Sequence, residues 1–495
     1  MKTNNIPQLS KSRFLAGLQC HLRLWYECYN RELIPETPPS QQAIFDTGHQ
    51  VGRLATRLYP GGVLIEEDHL HHEEAVLKTL DAMANPDISA IYEAAFIYDD
   101  IRIRVDILQR LKNRKWNLIE VKSSTSAKDV HIPDVAVQYY VLKGAGLNIN
   151  KAFLMHLNNQ YVYNGRELDL NALFSLSDLT DQAVSMQAGI VKEIAGLKEM
   201  LSGTAPPEIS PSRHCSTPYG CVFFEHCTKD MPEYWVFNLR GITQGKLNDL
   251  AAMGINDIKD IPDTFHLSGI QEQIRDCVIN NEDYISPDLR PELEEVDYPV
   301  HFLDFETVGP AVPRYGGTRP YQTIPFQWSD HILHEDGSIE HKEYLCEKDM
   351  DPREEFSRGL IRALGKKGTI FIYTNYETGI IKGLAEQYPQ YSDKLNNITE
   401  RLRDLCGIIK KYYYHPDFQG SFSLKAVLPA IIPEMSYEDL EIQEGNMASL
   451  EYLRMIDPST SADEKERIRT NLLTYCGQDT LAMLRIREEL LDRFK

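Results

Sequence analysis

The sequence predicts an α/β protein made of two sheet-bearing domains joined by a small helical segment. Three observations carry this expectation. Strand-like patterns at 91–98, 101–109 and 116–124 lie between long helical patterns that end near residue 203. A second strand-rich stretch opens near residue 299 with "YPVHFLDFET", "IPFQWSDHIL" and "GTIFIYTNYE", and helical patterns follow it to the C-terminus. Between them, short helical patterns over 235–285 lead into "NNEDYISPDLRPELEEVDYP", an acidic, proline-punctuated stretch that reads as a linker. The expected parts are residues 1–230, a connector and linker at 231–298, and residues 299–495.

Composition agrees with this division. The 495 residues allow about two to four domains, and 42% hydrophobic residues is ordinary for globular cores. No apolar run approaches the roughly 20 residues of a membrane span, and "MKTNNIPQLSKSRF" lacks the apolar stretch of a signal peptide. A cytoplasmic protein with no membrane partner is therefore expected, and its nine cysteines are expected as thiols or metal ligands, not disulfides. The net charge of −21 argues against a broad basic surface for duplex DNA, though not against a local basic groove.

The first chemical constellation lies in "IRIRVDILQRLKNRKWNLIEVKSSTS", residues 101–126, which reads as two adjacent strands joined by a basic turn. Asp106 sits late in the first strand. Glu120 and Lys122, two apart on the second, share a face opposite Ile119 and Val121. A carboxylate pair such as Asp106 and Glu120 suits Mg²⁺ or Mn²⁺, which prefer oxygen ligands. A metal there polarises a phosphate and lowers the pKa of bound water, and Lys122 is placed to orient that water. The plainer alternative is a surface hairpin with a cross-strand salt bridge.

This segment resembles the P-D-(D/E)-x-K core of RecB-type nucleases, and the resemblance implies a restriction-endonuclease-like mixed sheet. It also implies a functional Gln138, in "IPDVAVQYYVLKGAGL", because these enzymes carry a glutamine on the helix after the core. The sequence departs from the family twice. "GHQVG" keeps Gly48 and Val51 but has Gly52 where a histidine falls, and Gln138 is followed by Leu142 in place of tyrosine. Glu93 and His49 are the candidate compensating ligands.

"HCSTPYGCVFFEHC" spaces Cys215, Cys221 and Cys227 evenly, and Cys20 stands far upstream. One N-terminal cysteine with three after the core resembles the arrangement of iron–sulfur RecB-type nucleases, the CRISPR-associated and AddB types among them. That resemblance implies a [4Fe–4S] cluster on the four thiolates. Zn²⁺ is the alternative, since His214 and His226 lie beside these thiols. Cys28, Cys277, Cys346, Cys406 and Cys476 read as core packing.

The second constellation begins at "HFLDFET", where Asp304 and Glu306 share one strand face. Glu377 follows the apolar strand Phe371 to Tyr373, and Tyr475 and Asp479, at i and i+4, share one helical face. Four carboxylates brought together cannot all stay ionised without cations, so two divalent metals are their natural complement. In this order the residues resemble the tyrosine subclass of DnaQ-like, RNase H-fold exonucleases, which implies a water-positioning role for Tyr475. Glu377 departs from the aspartate usual in that family, and Asp404 in "RLRDLCGII" is the competing fourth ligand. Arg314, Arg319, Tyr321, His331 and Lys425 supply cations and rings suited to a single strand.

The whole layout resembles an uncharacterised bacterial family that fuses the two nuclease types. It implies a metal-dependent nuclease acting on DNA ends or single strands. The alternatives are an RNA-processing exonuclease, or a nucleic-acid-binding or assembly protein in which one or both sites have decayed. "LNDLAAMGINDIKDIPDT" is faintly like a helix-hairpin-helix, with a plain helical spacer as the alternative.

Overall fold

A computed structural model describes residues 6–494. The protein is a mixed α/β fold with two compact units. The first contains the described residues through Asp230 together with Pro310–Gln322. The second contains Met231–Gly309 and the described residues from Thr323 onward.

The first unit is built on a seven-stranded mixed sheet. Its central strands are Ala90–Tyr98, Ile101–Arg110, Trp116–Lys122 and Ile149–Leu157. The first three run antiparallel, and Trp116–Lys122 pairs parallel with Ile149–Leu157. Alternation decides which face each strand buries: Ile101, Ile103, Val105 and Ile107 are buried, while Arg102, Arg104 and Asp106 between them are half-buried. The helix Ile132–Gly144 is apolar on nearly every side, so it is buried in the core with Val135, Ala136, Val137, Val141 and Leu142 fully enclosed. A two-residue strand, Leu9–Ser10, pairs parallel with Ile101–Arg102 and leads directly into the helix Lys11–Gln19.

The second unit centres on a five-stranded sheet ordered Ile339–Leu345, Ile324–Leu333, Val300–Val308, Ile370–Ile372 and Leu402–Asp404. Ile324–Leu333 is antiparallel to both of its neighbours, and the last two strands run parallel to Val300–Val308. Leu303 and Phe305 pack with Phe356, Leu360 and Ile381 on one face, which turns Asp304 and Glu306 to the other. The 31-residue helix Ala462–Asp492 packs against Val300–Val308 and Ile324–Leu333. Polar contacts fix its position on the sheet: Gln327 donates to the Leu472 carbonyl at 2.7 Å, and Thr480 Oγ1 meets Ser329 Oγ at 2.8 Å and His331 Nδ1 at 2.7 Å.

The acidic stretch 280–299 is not a linker. Tyr284–Ile285 forms a strand pair with Tyr413–Tyr414, and the helix Leu289–Glu294 buries Leu289 and Leu293 completely. The Arg487 guanidinium donates to the Leu293 carbonyl at 2.8 Å. Two leucines four residues apart form an apolar stripe that outweighs the surrounding charge. Residues 231–280 likewise belong to the second unit. Among the described residues, no helix is long and apolar enough to cross a membrane.

Candidate active site

In the second unit, three elements bring the predicted carboxylates together. Asp304 and Glu306 come from the central strand, Glu377 from the first turn of the helix Tyr376–Gln387, and Asp479 from the C-terminal helix. Ligand atoms of Asp304, Glu306 and Cys476 lie within 4.8 Å of one another. Glu306, Glu377 and Asp479 are buried, at 6%, 4% and 8% exposure, and Glu377 Oε2 has no hydrogen-bond partner.

The electrostatics follow from that burial. Loss of solvent, then repulsion from Asp479, Glu377 and Glu306, pushes the Asp304 carboxyl well above the usual range. Glu306 is raised for the same reasons, burial first and Asp479 next. Burial, with Asp404 and Asp479 nearby, pushes Glu377 up to about 8. Asp479 rises to about 6 through burial, against the opposing hydrogen bond from Tyr437 and the pull of Lys425. The set offers hard oxygen donors with too little positive charge around them. Divalent cations fit it by donor type and by charge.

Four residues complete this site. Tyr437, which the sequence reading missed, donates its hydroxyl to Asp479 Oδ1. The Tyr475 ring lies 6.3 Å from that of Tyr437, and the Lys425 ammonium stands 5.4 Å and 5.7 Å from the ring centroids of Tyr475 and Tyr437. Cys476, expected only to pack, does so with full burial, and its thiol also lies 3.8 Å from Asp304 Oδ2. Asp404, the competing fourth ligand, instead caps the helix Leu405–Tyr412 by accepting from Gly407 N at 2.7 Å, and it accepts from Asn375 Nδ2 at 3.3 Å.

A pH dependence follows. Each of these carboxylates has a folded pKa above its unfolded value, so the native state binds more protons than the unfolded state across the interval between the two values. Their contribution to stability is full below about pH 4 and is lost as pH rises through about 6 for Asp479 and about 8 for Glu377. Chemical denaturation of the EDTA-treated protein is expected to give decreasing stability of the second unit from pH 5 to pH 8. Saturating Mn²⁺ should flatten that slope, because bound cations replace the protons.

In the first unit, the structure brings Asp106, Glu120, Lys122 and Gln138 together and adds two residues the sequence reading missed, Lys11 and Asp134. Glu120 accepts from Lys122 at 2.7 Å, from Gln138 at 2.7 Å and from Lys11 at 2.8 Å and 3.0 Å. Lys122 also reaches Asp134 at 2.6 Å. Burial opposes the charge on Glu120, but Lys11 and then Lys122 hold its carboxyl far below the usual range. Asp106 is raised by burial and by Glu120, and it accepts from Val121 N at 2.6 Å. Glu93 stands opposite Asp106 in the ladder, between the pairs Tyr92–Ile107 and Ala94–Val105, with a left-handed φ of 55°. Positive φ is uncommon for a residue with a side chain. His49 is exposed.

The four predicted cysteines also converge. Cys20 joins the helices Lys11–Gln19 and His21–Tyr29, and Gln19 ties this corner to the cysteine loop by donating to the carbonyls of His214 at 2.8 Å and Tyr219 at 2.7 Å. Cys221 N donates to the Cys215 carbonyl at 2.8 Å. Burial, then the neighbouring Cys221, Cys215 and Cys20, pushes the Cys227 thiol up to about 11. Soft thiols that crowd one another in this way fit a metal or cluster, which favours their thiolate form. His214 Nδ1 pairs with the Ser212 hydroxyl at 2.5 Å. All nine cysteines are free thiols.

Residues 301–423 match a family described as "Domain of unknown function (DUF2779)". "Uncharacterized protein UU173" of Ureaplasma parvum serovar 3 is 24% identical over 222 residues, which are 39% of this chain and 32% of that protein. The match thus spans about a third of the relative's length. A solved structure titled "Crystal structure of SSO0001" is similar with 16% identity and a TM-score of 0.24, covering 47% of this chain and 90% of that one.

Proposed function

We propose that the protein is a metal-dependent nuclease that hydrolyses phosphodiester bonds of DNA at ends or in single strands. The principal site is the Asp304–Glu306–Glu377–Asp479 cluster. The observation that carries this reading is four carboxylates from three elements converging beside Tyr475, with Lys425 as the nearby cation. Divalent cations held there supply charge neutralisation and an activated water for in-line attack. The chain's own residues do the rest. Asp304 and Glu306 fix the cation positions from a rigid strand, Tyr437 holds Asp479, and Tyr475 orients the water through its hydroxyl. The strand order, three antiparallel strands followed by two parallel ones, supports an RNase H-like domain.

The first unit supports a nucleic-acid partner in another way. A cleft of about 1590 Å³ is lined by Lys11, Arg13, Arg23, Arg31, Arg102, Arg104 and Lys198 together with Glu27, Glu67, Asp68, Glu93 and Asp100, a small excess of cations in a chain that is strongly acidic. Such a groove suits a phosphate backbone. The thiols of Cys20, Cys215, Cys221 and Cys227 support a [4Fe–4S] cluster there, with zinc as the other metal this donor set accepts. Because Glu120 is already saturated by nitrogen donors, a second reading holds for this unit alone, that it binds nucleic acid without cutting it.

Digestion of end-labelled single- and double-stranded DNA and RNA with Mn²⁺ tests the proposal. Single-stranded DNA is the expected substrate, Asp304→Ala is expected to remove most cleavage, and Lys122→Ala the remainder. Cleavage of RNA alone would replace DNA as the substrate. Wild-type behaviour of Lys122→Ala on every substrate would make the first unit a binding module.

A further inference from the structure

The contacts around Glu120 raise a question of space and charge. A carboxylate has about four acceptor positions on its two oxygens. Glu120 spends them on Lys122 at 2.7 Å, on Gln138 at 2.7 Å, and on Lys11 at 2.8 Å and 3.0 Å. Asp134 is similarly engaged, with Lys122 at 2.6 Å, Gln138 at 3.0 Å and Lys11 at 3.2 Å. Glu120 and Asp134 thus face two ammonium groups, which balance these two carboxylates without any ion.

Of the two lysines, Lys11 alone spans both oxygens of Glu120, the position from which a carboxylate chelates a cation. Its ammonium also lies 3.2 Å from Asp134 Oδ1, so it stands between Glu120 and Asp134. Its placement comes from the backbone. Leu9–Ser10 pairs with Ile101–Arg102, Ser10 Oγ accepts from Arg13 N at 3.2 Å as the helix cap, and Lys11 is therefore fixed at the first helical position. Lys11 thus sits at the junction of a two-residue strand and a nine-residue helix, and Lys122 is the last residue of the strand Trp116–Lys122.

We propose that Lys11 is a tethered cation standing on the chelating edge of Glu120, between Glu120 and Asp134, so that a divalent metal reaches Glu120 only by displacing the Lys11 ammonium. The inference rests on reading Asp106 and Glu120 as a metal pair. It gives the first unit a resting state in which Glu120 and Asp134 are neutralised by Lys11 and Lys122. It also gives that unit a free ammonium, released beside the cleft that Lys11 lines, once metal is bound.

The test uses the full chain and Mn²⁺ alone. Calorimetric titration identifies the binding component of this site as the one lost in Asp106→Asn. Lys11→Met is expected to tighten that component by about tenfold or more, and Lys11→Arg to leave it near the wild-type value. An unchanged or weakened affinity in folded Lys11→Met would overturn the proposal while leaving the metal pair standing. If neither wild type nor Lys11→Met has a component that Asp106→Asn removes, the metal-pair reading falls and the proposal with it. A second measurement needs no variant. Acylation of Lys11 in the wild type, followed by mass spectrometry, should speed up severalfold when Mn²⁺ is added, and equal rates with and without Mn²⁺ would contradict displacement.

Discussion

Asp304→Asn is expected to lower nuclease activity by about 10³-fold, the scale of removing one preorganised electrostatic stabiliser of a transition state. The loss comes from charge. The amide would keep the size of the side chain and one oxygen, but it would supply no negative charge to the cations that Asp304 and Glu306 hold from one strand face. The same substitution has an unusual expected effect on stability. Asp304 is half-buried beside Asp479, Glu377 and Glu306, and loss of solvent first and those acids next raise its carboxyl far above the normal range. In the metal-free protein this charge works against the fold. Replacing it with a neutral amide should leave the EDTA-treated protein as stable as the wild type, or more stable by about 1 kcal/mol.

Cys221→Ser carries the second large effect. The proposed cluster holds Cys20 near one end of the first unit and Cys215, Cys221 and Cys227 near the other, so it closes a loop of almost the whole unit. A ligand bound only by the native state adds RT ln(1 + [L]/Kd) to stability, and a tightly held metal group contributes several kcal/mol in this way. Anaerobically purified wild type should be brown with bound iron. Cys221→Ser should lose the iron and the visible absorption, and unfold at a markedly lower temperature. Stoichiometric zinc without iron would replace the cluster with the zinc site. A variant with wild-type stability and no metal in either protein would leave the four thiols as packing.

Much of the second site was legible because its signals are local. Asp304 and Glu306 share a face by strand periodicity, and Tyr475 and Asp479 by helical periodicity. Both inferences need only a few residues of sequence. Leu303 and Phe305, the apolar residues that interleave with the acids, already marked which face would be core. What escaped the sequence was tertiary. Lys11 meets Glu120 across 109 residues and Tyr437 meets Asp479 across 42, and no spacing rule connects either pair. Asp134 was hidden for a different reason: it sits in an apolar helical turn whose burial only the sheet above it explains. The acidic stretch before residue 299 was misjudged because its charge was conspicuous while its stabilising element was two leucines on one short helix. Asp404 looked like a ligand by residue type, and its capping bond to Gly407 depends on where the helix Leu405–Tyr412 begins.

The central claim is that Asp304, Glu306, Glu377 and Asp479 are gathered to hold divalent cations and not to serve as structural ion pairs. Thermal unfolding of wild type and Asp304→Asn, each in EDTA and in Mn²⁺, tests it most directly. The predicted result is a clear Mn²⁺-induced rise in wild-type Tm, a much smaller rise in Asp304→Asn, and an EDTA-treated variant no less stable than the EDTA-treated wild type. A buried structural pair would behave in the opposite way, with Asp304→Asn destabilised by about 3–5 kcal/mol in EDTA and its response to Mn²⁺ unchanged, and that outcome would contradict the account.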